Sequence, residues 1–385
     1  MMEIALVGAP NSGKSTFFKA ATLKDVKIAP YPFTTLEPNE GLAYVSAPCV
    51  CSELGVKCIY CVDNTRFIAV KLWDVAGLVP EAHLGKGRGN EFLSDVMRAS
   101  GLIQIVDASG RSDSEGNIVE DFNPSNTVEM LEKELDYWLL SLLKKDWRQI
   151  QQGADFVKTI AARLSGLGFK ESNVKRIAEK TGASKNSDDM MLLDFVNALR
   201  KHAKPTIIAA NKSDIPKSRG NIVKLQEDFP EYPAISTSAE IELALREAAA
   251  SGIIKYLPGA GDFVVIDEEK LNQKQKFAVN FMSEFLKEHS NTGVQKCLNK
   301  LVFDLLEMIV VYPVADPNKY TDKHHNVLPD AYLMKKGSTA LDLAFAIHAD
   351  FGQKFIAAID TRTKKNVSAN YLLKNNDVLS IKSGK

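Results

Sequence analysis

The tightest constraint on the fold lies at the start of the chain, where EIALVG, residues 3 to 8, runs straight into GAPNSGKS and then into FFKAATL. An apolar strand followed by GxxxxGK[ST] and a helical stretch is the phosphate loop in its required context. Backbone N–H groups from Asn11 to Ser15 would point into a concavity at the helix N-terminus and meet several phosphate oxygens at once. Gly8 and Gly13 are small because a side chain would strain the turn or fill the phosphate space. Lys14 would reach the beta and gamma phosphates, and the Ser15 hydroxyl would ligate Mg²⁺. The run Ala9, Pro10, Asn11, Ser12, Gly13, Lys14, Ser15, Thr16 is therefore the candidate phosphate-binding set. A dinucleotide fold wants GxGxxG and a later acidic residue, and has no need of the lysine that follows GAPNSG here.

The base is chosen elsewhere. PTIIAANKSD, residues 205 to 214, is a second apolar strand that delivers Asn211, Lys212 and Asp214 to a strand end. The Asp214 carboxylate can accept from two donors on the guanine edge, whereas adenine would present it with an acceptor. Lys212 would lay its stem along the base, and Asn211 would tie this loop to the phosphate loop. In PAISTSAEI, residues 233 to 241, Ser238 and Ala239 stand where a backbone N–H could meet the guanine oxygen.

Composition sets outer limits. The 385 residues can hold two or three domains, and a formal net charge of zero gives little long-range attraction for naked nucleic acid, so DNA is not an expected ligand. MMEIALVGAP lacks a basic leader region, and no long uncharged apolar window follows; a soluble cytoplasmic protein without a membrane partner is the plain reading, with a monomer favoured. Cys49, Cys51, Cys58 and Cys61 fall close together in PCVCSELGVKCIYC. Four thiolates could close a tetrahedral Zn²⁺ site, but buried or incidental thiols in a strand connection account for the same letters and are preferred. Cys297, alone in an apolar helical stretch, reads as packing.

The order GAPNSGKS, DVAG, NKSD, SAE resembles the translation-factor-related P-loop GTPases. PYPFTTLEPNEG, residues 30 to 41, with DVAGLVPEAHLGKGRGNEFL, residues 74 to 93, looks like the Obg-like branch and its YchF-related archaeal and eukaryotic members. The resemblance implies that Thr35, next to Thr34, is the switch threonine that completes the Mg²⁺ shell. It implies that Asp74 holds a magnesium-bound water and that Gly77 offers its N–H to the gamma phosphate; Lys14, Thr35 and Gly77 are then the catalytic set. Human and bacterial YchF proteins resemble this chain but carry a degenerate guanine motif and favour ATP. The intact NKSD departs from them and restores the expectation of GTP.

After DxxG stands Leu78, where Ras-like switches carry a water-orienting Gln. Leu78 can pack but cannot donate or accept. Hydrolysis must then lean on Lys14 and Mg²⁺, on a partner, or on a monovalent cation. GTPases with GxPNxGKS resemble this chain at Asn11, which in them helps to coordinate K⁺. HLGKGRGNEFL, with Lys86 and Arg88, reads as a mobile glycine-rich segment, and His83 reads as a surface group before it reads as a water-positioning one.

The helical periodicity of Val128, Leu131, Leu135, Trp138, Leu139 and Leu142 opens a stretch that stays helical to about Arg200, with Asn126 and Glu129 as a candidate capping box. The family resemblance implies an antiparallel helical hairpin or coiled coil there. Residues 270 to 309 are again helical, and the segment from Val310 to the end, with KKGSTALDLAFAIH and a closing NDVLSIKS, resembles a TGS domain. The fold class expected is thus α/β: a P-loop GTPase domain with a mostly parallel sheet, an inserted helical domain and a C-terminal beta-grasp (TGS) domain. The expected boundaries are 1–115 and 204–258 for the GTPase parts, 116–203 for the insertion, 259–309 for a helical segment packed on the GTPase domain and 310–385 for the TGS domain. That last module carries more Lys and Arg than Asp and Glu, which fits contact with structured RNA or a ribosome. Two functions follow from the same letters: a slow GTPase switch, converting GTP to GDP and phosphate in translation or stress, or a nucleotide-gated binding module with negligible turnover.

Overall fold

The structure, a computed structural model, describes residues 1–22, 39–75, 77, 80–84 and 89–384. Thr34, Thr35, Leu78, Lys86 and Arg88 lie outside the described residues. The described residues divide into two units: 1–22, 39–43 and 71–301 form the first, 44–70 and 302–384 the second.

The chain begins with β1 (Glu3–Val7), α1 (Lys14–Thr22), β2 (Glu40–Pro48), β3 (Cys61–Val62), β4 (Thr65–Asp74), α2 (Gly89–Arg98) and β5 (Gly101–Asp107). Five helices follow: α3 (Ser125–Lys145), α4 (Trp147–Gln152), α5 (Phe156–Leu164), α6 (Glu171–Thr181) and α7 (Asp189–Ala203). The sheet resumes with β6 (Thr206–Asn211), α8 (Ser218–Asp228), β7 (Ala234–Ser236) and α9 (Ala239–Ala250). The strand order is β2-β4-β1-β5-β6-β7, with β3 paired to β4; the outer parts of β2 and β4, with β3, count with the second unit. β5 and β6 are buried along their whole lengths, as parallel strands covered on both faces must be. Parallel pairing sets Leu6 beside Asp74 and Asp107 beside Asn211. The carboxyl ends of β1, β4, β5 and β6 therefore open on one edge, where open α/β sheets bind ligands.

The insertion between β5 and β6 is five helices rather than one hairpin. Leu131, Leu135, Trp138, Leu139, Phe195 and Leu199 pack in one core with Ala5, Val7, Leu93 and Met97, so these helices are buried against the sheet. Buried Arg200 on α7 bonds Asp136 at 2.6 Å and Glu132 at 2.9 Å on α3, which fixes the two helices in register. The Asn126–Glu129 capping box does not form: the helix starts two residues earlier, behind Pro124, and Asn123 rather than Asn126 accepts from a first-turn N–H, that of Ser125. Proline at the helix entry sets the turn without a side-chain cap. The first unit closes with the hairpin β8 (Ile254–Tyr256) and β9 (Phe263–Val265), then α10 (Gln273–His289) and α11 (Val294–Asn299), and a π-helical turn over Lys300–Leu305 crosses the boundary at residues 301 and 302. Met282, Phe285 and Leu286 of α10 share a core with Ile241 and Leu245 of α9.

The second unit holds β10 (Met308–Pro313), β11 (Tyr332–Lys335), α12 (Ala340–Ile347), α13 (Ala349–Gln353), β12 (Phe355–Asp360), β13 (Asn366–Val367) and β14 (Asp377–Ser383). Its sheet runs β11-β10-β14-β12-β13, with β10 parallel to β14 and the other neighbours antiparallel. Ala340 and Leu343 of α12 pack on Val311, Ala358 and Leu379, and a Thr339–Asp342 capping box starts the helix.

Candidate functional site

The loop after β1 shows why its glycines are glycines. Gly8 has φ 157° and an added Cβ would stand 2.4 Å from the Ile105 carbonyl oxygen; Gly13 has φ 91° and its Cβ would meet Asn211 Nδ2 at 2.2 Å. Asn211 occupies the space that Gly13 leaves: its Nδ2 donates to Ser12 O at 2.9 Å while its Oδ1 accepts from Ala239 N at 3.0 Å. One buried amide thus holds together the phosphate loop, the end of β6 and the start of α9.

Lys212, in the left-handed region at φ 64°, sends its Nζ to Asn11 O at 2.8 Å and to Asp107 Oδ2 at 2.7 Å. Burial pushes the Asp107 carboxyl up, but Lys212, Ser109 and Ser112 outweigh it and hold the group below the usual carboxylate range. Asp107 was not singled out in the sequence. The available signal is an acidic residue ending a strand, LIQIVD, that is otherwise free of charge.

Asp214 is half-buried and accepts from Ser238 Oγ at 2.7 Å. The same Oγ caps α9 by accepting from Ile241 N at 3.3 Å. Ser238 N donates to Thr292 O at 2.9 Å, and Ala239 N is bonded to Asn211 as above. Both N–H groups expected to face a base are thus bonded within the fold, that of fully buried Ser238 to the backbone of the α10–α11 connection.

Across the loop, Ser15 Oγ lies 3.0 Å from Asp74 Oδ2 and Lys14 Nζ lies 3.7 Å from Asp74 Oδ1. Among the described residues, the buried Ser12 Oγ and Asp74 Oδ1 have no hydrogen-bond partner. A hard cation bound by a hydroxyl and a carboxylate, with phosphate oxygens beside it, fits that donor set. Gly77 comes up against the loop, since an added Cβ would stand 2.9 Å from Pro10 Cγ. A second segment does the same: Gly116, at φ 87°, packs on Pro10 and its carbonyl accepts from Asn11 Nδ2 at 2.8 Å. Asp113 shapes that turn by accepting from the N–H groups of Glu115 and Asn117, both at 2.9 Å.

His83 is not a surface group. Its Nδ1 is 2.7 Å from Glu134 Oε2 on α3, and its ring lies 5.2 Å from that of Tyr137. Cys297 is fully buried, and burial pushes its thiol up to about 12, so it stays a packing residue. In the second unit the Sγ atoms of Cys49, Cys51, Cys58 and Cys61 all lie within 4.8 Å of one another. No helix among the described residues is long and apolar enough to cross a membrane.

Three family models match parts of this chain: a 50S ribosome-binding GTPase model over residues 3–140, an Obg-like GTPase YGR210-like, G4 motif-containing domain over 209–316, and a TGS domain over 324–383. An uncharacterised GTP-binding protein of Methanocaldococcus jannaschii is 49% identical over the whole of this chain and 99% of its own length. One from Schizosaccharomyces pombe is 34% identical and covers 88% of each. Among solved structures, a GTP binding protein from Pyrococcus horikoshii OT3 superposes with a TM-score of 0.78 at 37% identity, over the full length of both chains.

Proposed function

The chain belongs to the Obg-like, YchF-related GTP-binding proteins and ends in a TGS domain, and from that premise we propose that it is a slow GTPase selective for guanine, whose nucleotide state governs contact with a ribosome or another structured RNA. The observation that carries base choice is the Ser238–Asp214 bond of 2.7 Å. It ties down one carboxylate oxygen and so fixes the plane in which N1–H and the exocyclic amine of guanine would be accepted. Lys212 covers one base face with its stem while its Nζ stays on Asn11 and Asp107. Of Ser238 and Ala239, Ala239 is the residue to meet the guanine oxygen, because its N–H is held by a side-chain amide that can yield, not by a backbone carbonyl.

For chemistry, Ser15 and Asp74 would hold Mg²⁺, the aspartate through water, and the ion would draw charge from the beta and gamma oxygens. Lys14 Nζ, 3.7 Å from Asp74 Oδ1, would turn to the beta and gamma phosphates and neutralise their charge. Gly77 N–H and Thr35 would meet the gamma phosphate. None of these groups activates water, so the intrinsic rate is slow, and Asn11, by holding K⁺, or a partner would supply the missing stabilisation. The TGS domain, with its excess of Lys and Arg, together with the matched 50S ribosome-binding GTPase model, supports the RNA side of the reading.

Single-turnover GTP hydrolysis with and without purified 50S subunits tests this. Slow release of phosphate that ribosomal particles accelerate supports the switch. Tight GTP binding with no phosphate released in either condition would replace it with a nucleotide-gated binding module.

A further inference from the structure

We infer that Cys49, Cys51, Cys58 and Cys61 form a mononuclear structural zinc site in the second unit, separate from the nucleotide chemistry. Cys49 Sγ is 3.7 Å from Cys58 Sγ, and Cys51 Sγ is 3.6 Å from Cys61 Sγ. A tetrahedron with Zn–S bonds of ~2.3 Å has S···S edges of ~3.8 Å, so both pairs already stand at the edge length that one zinc ion requires. The pairs are too far apart for disulfides, and all five cysteines of the chain are free. The 4.8 Å ceiling on every S···S separation also leaves no room for a cluster with bridging sulfides, which would push the ligands of different irons further apart. One dication fits, and zinc binds such a set more tightly than ferrous iron does.

The backbone is built to hold the four thiols in place. β3 and β4 close a two-residue turn at Asp63 and Asn64, both in the left-handed region at φ 47° and 60°, which sets Cys61 opposite Arg66. Cys49 N donates to Asn64 O at 2.7 Å, so the first ligand is fastened to the same turn as the last. Leu54 N to Val50 O, at 3.1 Å, and Val56 N to Cys51 O, at 3.0 Å, fold the loop between them. Four thiolates around Zn²⁺ leave two negative charges in a half-buried place. Arg66, 2% exposed, brings its guanidinium 4.0 Å from Cys58 Sγ and stacks over Tyr60. Its remaining N–H groups donate to Leu328 O at 3.1 Å and Pro329 O at 2.8 Å. The ion would thereby steady residues 44–70 where Arg66 fastens them to the segment before β11.

The test is metal analysis of full-length protein, expressed with added zinc and purified without chelator. Stoichiometric zinc is expected, released in step with titration of four thiols by a mercurial and captured by a chromophoric chelator. Cobalt exchanged into the wild-type protein should give thiolate charge-transfer and tetrahedral ligand-field bands, a reading that needs no variant to fold. Cys51→Ser with Cys61→Ser should abolish both signals while GDP binding persists. Absence of stoichiometric metal with four freely reactive thiols, or disulfides between these cysteines by mass spectrometry, would overturn the site. Iron in place of zinc at full occupancy would overturn the identity of the ion.

Discussion

Glu134 on α3 holds His83 in place: one carboxylate accepts from His83 Nδ1 at 2.7 Å, from His83 N at 2.9 Å and from Glu81 N at 2.7 Å. His83, which reads as a surface group in the sequence, is thus fastened, nine residues after Asp74, to the middle of a long helix. Glu134 is buried, so Glu134→Ala leaves two backbone donors and an imidazole without their acceptor. We expect a loss of about 1–2 kcal/mol, the lower part of the roughly 1–3 kcal/mol that an unsatisfied buried donor costs, because Glu81 is exposed and His83 half-buried. Hydrogen exchange at the Glu81 and His83 amides should rise well before global unfolding does; unchanged protection at both would remove Glu134 from this role.

The base-selection reading predicts what Asp214→Asn does. The amide presents a donor where the carboxylate had an acceptor, so GTP and GDP should weaken by about 100-fold, in line with the loss of charge-assisted hydrogen bonds, while xanthosine diphosphate gains. Ser238→Ala should weaken GDP less, since it frees the carboxylate to rotate without changing its charge, and should lower stability by about 1 kcal/mol through loss of the α9 cap. Competition binding with GDP, ADP and XDP reads both. Equal GDP and ADP affinity in the parent protein would end the guanine assignment.

How much of this site is legible in the sequence depends on whether its parts are adjacent in the chain. Gly8 to Ser15 and Asn211 to Asp214 announce themselves because one stretch of backbone and the next side chain do the chemistry together. Asp107, Gly116 and Glu134 do not, because each acts on a residue at least 51 positions away, and only the parallel register or the packing of α3 makes them neighbours. Ser238 shows the reverse. Its motif reads as a free donor, yet Thr292, 54 residues on, fills the bond. The cysteines were legible as letters but not as a tetrahedron, since the turn at Asp63 and Asn64 decides which sulfurs meet.

Lys204 gives a pH prediction. It is buried, donates to Ala99 O at 2.9 Å and Leu167 O at 2.8 Å, and burial alone lowers its pKa from 10.5 to about 8. Between about 8 and 10.5 the unfolded chain holds a proton that the folded one has released, so stability rises with pH across that window and the penalty for burying the charge is felt in full below it. Against Lys204→Met, whose lost carbonyl bonds do not depend on pH, the wild type should gain up to about 3 kcal/mol from pH 8 to 10.5. Urea unfolding of both proteins across the range checks it. Parallel curves would mean that the ammonium keeps its ordinary pKa in the fold.

The last prediction concerns the step that Leu78 cannot assist. Asn11 sits at φ 61°, its Nδ2 committed to Gly116 O, which leaves the amide oxygen as the atom free to meet a cation beside the beta and gamma phosphates. If K⁺ supplies the missing stabilisation, hydrolysis at fixed ionic strength should rise when K⁺ replaces Na⁺. Asn11→Gly, chosen because glycine accepts that φ without strain, should erase most of the difference. GDP affinity should change far less, because GDP relies on the backbone N–H groups of the loop, whereas the ion acts on charge that grows only in the transition state. Leu78→Ala should have a modest effect, since no water-activating group is removed. A rate equal in Na⁺ and K⁺, with acceleration on adding ribosomal particles, would move the missing charge onto the partner. A collapse of turnover in Leu78→Ala, with fold and GDP binding preserved, would show that the leucine itself shapes the transition state.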